Sequence, residues 1–265
     1  MSIELYGPRE RAGIRRASRA AAATLAFVGE NLRAGLTKAE IDQLVRADTA
    51  RRGGTPSQLG FQGFPYAVCV SRNQVVCHGM PSAHERLADG DIVNVDVTTE
   101  LDGFHGDTSA TFTIGNVNAD ARHVMDVARR CLEAGISVVR PGARLGDIGA
   151  AIDELARRHG CSTVRDYTGH GIGRRMHEEP PVPHVGRRGT GLRLRAGMAF
   201  TIEPMVNLGS WEVEIDPVDK WTVTTLDGSL SAQFEHTCLV TKTGVEVLTK
   251  RAKPLRLSED VAMIL

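Results

Sequence analysis

Residues 90–98 read Gly-Asp-Ile-Val-Asn-Val-Asp-Val-Thr, and residues 197–205 read Gly-Met-Ala-Phe-Thr-Ile-Glu-Pro-Met. Each is an apolar run opened by a glycine, a pattern that predicts a strand buried on at least one face. Each also carries an acid, Asp96 or Glu203, where an unpaired carboxylate would be costly. The two acids stand 107 residues apart. The same shift sets Leu25 on Leu132, Gly35 on Gly142, Ile41 on Ile148, Gly53 on Gly160 and Gly90 on Gly197, so the chain reads as two related halves. Asp107 and Glu235 differ by 128 and match only if the second half holds 21 extra residues, for which 204–234 has room.

Working outward, residues 9–32 predict a helix with Ile14, Ala17, Ala21, Leu25, Val28 and Leu32 on one face. Thr37 with Glu40 forms a capping box for a second helix that Gly53 stops. Strands are predicted near 67–71, 91–100 and 107–114. The order recurs as a helix over 119–139, a turn at Pro141-Gly142, a helix over 145–159 ending at Gly160, and strands. Helix pairs followed by strands imply an α+β fold with helices on one face of an antiparallel sheet. The reading is one catalytic domain over 1–265, with halves of about 9–115 and 116–248.

Lys plus Arg equals Asp plus Glu at 32 each, which removes the electrostatic case for a nucleic-acid or membrane-surface protein. Four of the six Arg-Arg pairs lie in stretches of helical periodicity, so they read as solvated helix faces. Five cysteines form no C-x-x-C pair and leave one over, which fits a reduced, cytoplasmic chain. The first residues hold no apolar signal core, and no apolar run approaches the ~18 residues that span a membrane.

Asp96, Asp107, His170, Glu203 and Glu235 carry the chemistry. If they converge, four carboxylates and a neutral imidazole leave a charge of minus four, which two divalent cations would cancel. Oxygen-rich ligands with one imidazole favour Mn, Fe(II), Co or Zn, and a hydroxide bridging two such ions is a nucleophile at neutral pH. His170 sits in Tyr-Thr-Gly-His-Gly-Ile-Gly, which lacks the spacing of a dinucleotide loop. His177 follows seven residues later, and His78 in Val-Val-Cys-His-Gly-Met-Pro should face a cleft. His84, His123 and His159 read as surface, and His105 as support for a turn at Asp107. A G-x-S-x-G elbow, an H-E-x-x-H pair and a Walker loop are all missing, which disfavours a serine hydrolase or zincin.

The strings Val-Asn-Val-Asp-Val-Thr (93–98), Gly-Phe-His-Gly-Asp-Thr-Ser (103–109), Gly-His-Gly-Ile-Gly (169–173), Phe-Thr-Ile-Glu-Pro-Met (200–205) and Ser-Ala-Gln-Phe-Glu-His-Thr (231–237) together resemble type I methionine aminopeptidases without an N-terminal extension. The resemblance implies the pita-bread fold, two pseudo-twofold halves with a dimetal site near the axis. It implies that Asp96 chelates one metal, His170 and Glu203 bind the other, and Asp107 and Glu235 bridge both. It makes Glu203 the proton acceptor, and His78 and His177 hydrogen-bonding partners of the scissile peptide and its oxyanion. The methionine would lie among Phe61, Phe64, Cys69, Met176 and Trp221, with His78 and His177 beside it. Relatives often carry tyrosine at Phe64 and an aromatic residue at Met176, so this pocket is expected to be more flexible; plain core is the alternative for Phe61, Cys69 and Trp221. The implied partners are peptide and nascent-chain N-termini with transient ribosome contact, no nucleic-acid specificity and no membrane, and the implied state is a monomer. Rival readings are an Xaa-Pro aminopeptidase or prolidase of the same fold, or a non-catalytic binding protein that kept it.

Overall fold

A computed structural model describes residues 3–251; Met1, Ser2 and 252–265 of the expected 1–265 domain lie outside the described residues. Helix α1 runs Pro8–Asn31 and α2 Lys38–Arg51. Thr37 Oγ1 accepts from the Glu40 amide at 3.1 Å, and the Glu40 carboxylate accepts the Thr37 amide at 2.7 Å, so the capping box closes both ways. Strands β1 (Thr55–Pro56), β2 (Cys69–Arg72), β3 (Val75–Cys77), β4 (Ile92–Leu101) and β5 (Phe104–Thr113) follow. Helices α3 (Ala119–Ser137) and α4 (Leu145–Arg158) then precede β6 (Ser162–Thr163), β7 (Gly169–Gly171), β8 (Glu178–Val182), β9 (Ala199–Ile202), β10 (Met205–Asn207), β11 (Val213–Ile215), β12 (Val223–Thr225), β13 (Ser231–Gln233), β14 (His236–Val240) and β15 (Val245–Val247).

The offset of 107 recurs in the backbone itself. α4 occupies the residues that α2 reaches when shifted by 107. The Gly35 amide donates to the Leu87 carbonyl and the Gly142 amide to that of Leu194, the same bond one repeat on. The Thr37 and Arg86 bridge likewise returns as Arg144 with Arg193.

Among the described residues every strand pairing is antiparallel, as expected, but the ladder divides into four sheets: β1-β4-β2 with β5 on β4, β13-β10-β6, β11-β12-β3 and β15-β14-β9-β7-β8. The break explains why Glu203 lies just past β9 and not within a strand. Pro204 has no N–H to give to a ladder, so the strand stops at Ile202 and resumes at Met205. Register is kept across the gap, with Ile202 opposite His236 and Met205 opposite Gln233, which sets Glu203 against Glu235. Asp96 stands opposite Ser109, and Asp107 opposite Thr98. By pairing, the partner of Glu235 in the first half is therefore Ser109, an offset of 126 and not the expected 128. Asp107 also lies in the middle of β5 and not at a turn.

Helix α1 packs across β4 and β5, and one continuous apolar cluster joins Leu25, Val28, Val95, Leu132, Ile148 and Phe200 beneath both helix pairs. Gly106 makes the close approach feasible: a Cβ there would lie 2.3 Å from the Ser18 Cα. Gly106→Ala is expected to destabilise the fold by about 1–3 kcal/mol, the usual penalty for an overfilled core. Urea unfolding followed by circular dichroism reads this, and an unchanged midpoint would contradict the fit of α1. No helix among the described residues is long and apolar enough to cross a membrane.

Candidate metal centre and substrate cleft

The alternation of β4 and β5 points Asp96, Thr98, Asp107 and Ser109 to one face. β7, β9 and β14 bring His170, Glu203 and Glu235 to meet them. Ligand atoms of Asp107, His170 and Glu235 all lie within 4.8 Å of one another. His170 Nε2 is 3.5 Å from Glu203 Oε1 and 3.6 Å from Asp107 Oδ2. Asp96 lines the same cleft as these residues. All five predicted residues therefore converge.

The electrostatics of the cluster are those of an acid nest without a counter-charge. Burial raises Asp107 to about 6 and Glu203 to about 8, and holds Asp96 and Glu235 well above the carboxylate range, with the neighbouring acids adding to the last three. Burial lowers His170 to about 3, so its imidazole is neutral and free to ligate. Among the described residues no Lys or Arg forms an ion pair with any of the four acids. Asp96 Oδ1 and Glu235 Oε1 are buried without a hydrogen-bond partner. Oxygen-rich donors, orphaned lone pairs and missing positive charge together fit divalent cations.

The pH dependence of the metal-free protein follows. A carboxyl raised by folding holds its proton more tightly folded than unfolded, so its stabilisation is present at low pH and lost as pH rises through the folded value. The lowered histidines act oppositely, removing stability as pH falls below their ordinary 6.5. Between pH 6.5 and about 8 the acids dominate this cluster, Glu203 with a folded value of about 8, and the last of the unfolded-state His170 titration opposes them only slightly. Metal-free protein is expected to melt lower at about pH 8.5 than at 6.5, and Mn(II) to restore most at the higher pH. Equal melting temperatures at both would contradict the uncompensated nest.

A cleft of about 410 Å³ opens onto the cluster, and all five predicted pocket residues line it with His78 and His177. Phe64 and Met176 are buried, and the Phe64 and Trp221 rings meet edge-on at 5.0 Å. Cys69 is opposite Asp96 on β2, its thiol pushed well up by burial and then by Asp96. Phe61 packs at 4.8 Å from His177, whose ring in turn lies 4.2 Å from that of His170. Phe61 and Trp221 are half-buried and Cys69 is buried, and all three border the cleft.

His78 has φ of +54°, a left-handed backbone that is uncommon outside glycine. Burial, and then His177, lower it to about 4. Its ring stands edge-on to Tyr167 at 5.4 Å and to Trp221 at 6.2 Å. Burial and then His105 also lower His177. His84 and His123 are exposed and His159 half-buried. His105 supports no turn; it pairs with Ser57 at 2.8 Å from within β5.

Sequence reasoning missed Gln58, whose amide donates to the Asp96 carbonyl at 2.9 Å, Tyr167 and Gln233 in the cleft, and the buried His184 and His236. Tyr167 lies within the glycine-rich string around His170, a signal that was available. The others give none, because their neighbours come from distant strands.

The chain belongs to metallopeptidase family M24, whose pattern matches residues 12–242. It is 45% identical over 255 residues to a methionine aminopeptidase of Rickettsia prowazekii, covering 96% of this chain and 98% of that one. A crystal structure of methionine aminopeptidase from that organism superposes with a TM-score of 0.93 over 94% of this chain and 100% of its own. An Xaa-Pro dipeptidase from Bacillus anthracis shares the fold at a TM-score of 0.77 but is 21% identical, and this chain spans 63% of it. The architecture is thus the pita-bread fold of the family, and the protein is a metal-dependent hydrolase.

Proposed function

We propose that this protein is a methionine aminopeptidase, hydrolysing the peptide bond after an N-terminal methionine that precedes a small residue. The observation that carries the reading is the convergence of five metal-type ligands at the floor of a cleft walled by Phe64, Met176 and Trp221. Near-full-length identity to a methionine aminopeptidase supports it over the Xaa-Pro rival, whose likeness is one of fold alone. The intact ligand set argues against a binding protein without catalysis. Residues 9–115 and 116–248 act as the two halves of one catalytic unit.

Asp96, Asp107, His170, Glu203 and Glu235 would hold two divalent cations, drawn from Co, Mn, Fe(II) or Zn, which when bound polarise the scissile carbonyl and acidify water. The methionine thioether fits a wall of aromatic edges and sulfur from Phe61, Phe64, Cys69, Met176 and Trp221. Glu203, ionised once cations offset the charge of the neighbouring acids, would take the proton of the attacking water and return it to the leaving amine. His78 and His177, neutral at pH 7, hydrogen-bond the peptide and the developing oxyanion. Five unpaired cysteines support a reduced, cytoplasmic setting; there the enzyme would act as a monomer on nascent-chain N-termini, in transient contact with the ribosome.

Parallel assays on Met-Ala-Ser and Ala-Pro-Ala decide the matter. Release of methionine from the first and little release of alanine from the second is expected; preference for the second would overturn the reading.

A further inference from the structure

The ladder around His170 is broken. Gly169 pairs with Val182 and Gly171 with Glu178, a register shift that falls on His170, and β7 keeps only Gly171 opposite Phe200 on β9. The His170 amide donates to the side chain of Thr201, at 2.9 Å from Oγ1. Thr201 is fully buried, and its single hydroxyl hydrogen has a short acceptor, Glu203 Oε1 at 2.7 Å; the His170 carbonyl lies farther away at 3.5 Å. One hydroxyl thus accepts from one member of the cluster and donates to another.

From this geometry we infer that Thr201 is a positioning residue that fixes Glu203 and His170 relative to each other for metal binding. Its donation leaves Oε1 beside His170 Nε2, which is 3.5 Å from that same atom. The other Glu203 oxygen is held by Gln233 Nε2 at 3.3 Å, so both ends of the carboxylate are tied and its rotation is stopped. The close strand approach keeps Thr201 in place, since a Cβ on Gly169 would come 2.4 Å from the Thr201 carbonyl. Removing a hydrogen-bond partner that orients a metal ligand typically costs about 10–100-fold in metal affinity.

The inference rests on Glu203 and His170 holding metal as proposed above, and the test separates the two. Thr201→Val keeps the shape and methyl but loses the hydroxyl; Thr201→Ser keeps the hydroxyl and loses the methyl. Calorimetric titration of the metal-free protein with Mn(II) is expected to show about 10–100-fold weaker binding for Thr201→Val and near wild-type binding for Thr201→Ser. Turnover on Met-Ala-Ser should fall with affinity in the valine variant at little changed KM, and return in the serine variant. Should valine fail to fold, Thr201→Ala against Thr201→Ser makes the same comparison, hydroxyl against none. Wild-type affinity in Thr201→Val, or equal loss in the serine and hydroxyl-free variants, would overturn the positioning role while leaving the function standing. A wild-type protein that binds Mn(II) but releases no methionine would remove the function and leave Thr201 in place.

Discussion

Glu203→Gln is expected to reduce turnover on Met-Ala-Ser by about 10³-fold or more, at the upper end of what loss of a proton acceptor costs, and to weaken one metal. The substitution preserves volume but removes both properties that the site asks of this side chain. A neutral amide cannot accept the proton of the attacking water. It also offers the cations one weak oxygen in place of a carboxylate. The local hydrogen bonds deepen the effect: Thr201 donates to one Glu203 oxygen and Gln233 to the other. An amide can satisfy only one of these donors, and its NH₂ must then face the other. Metal content by mass spectrometry and single-turnover assays read the two effects separately. A Glu203→Gln enzyme that stays active would refute the dual role.

His78→Ala is the second large effect and has the opposite signature. Turnover is expected to fall about 10²–10³-fold, the usual loss when one oxyanion donor is removed, while metal content stays near that of the wild type. The separation follows from position. His78 lines the cleft but is not among the side chains whose ligand atoms cluster at its floor. Its orientation is imposed by its left-handed backbone and by the Tyr167 and Trp221 rings, so it is held ready without touching the acids. Unchanged turnover would remove His78 from the mechanism; lost metal would make it structural.

Much of this was legible in the chain. Asp96 and Glu203 stood out because a carboxylate inside an apolar run needs a partner, and the offset of 107 returned as matching helices and matching backbone hydrogen bonds. Helix ends were readable because caps are local, as Thr37 with Glu40 shows. Strand register was not, because it is set between distant segments. The shift that places Glu235 opposite Glu203, with Ser109 and not Asp107 opposite Asp96, cannot be seen in either strand alone. For the same reason Gln58, from the turn after β1, and Gln233, from β13, which serve Asp96 and Glu203, gave no sign. Thr201 was in plain view beside Glu203, yet its role depends on a break in β7 that periodicity does not record.

The most direct test of the central claim is a titration of the metal-free protein with Mn(II) under anaerobic conditions, scoring methionine released from Met-Ala-Ser against metal bound. No release is expected without metal, and activity should rise as the Asp96, Asp107, His170, Glu203 and Glu235 cluster fills at no more than two ions per chain. Binding no tighter than millimolar, or full occupancy without release of methionine, would contradict it.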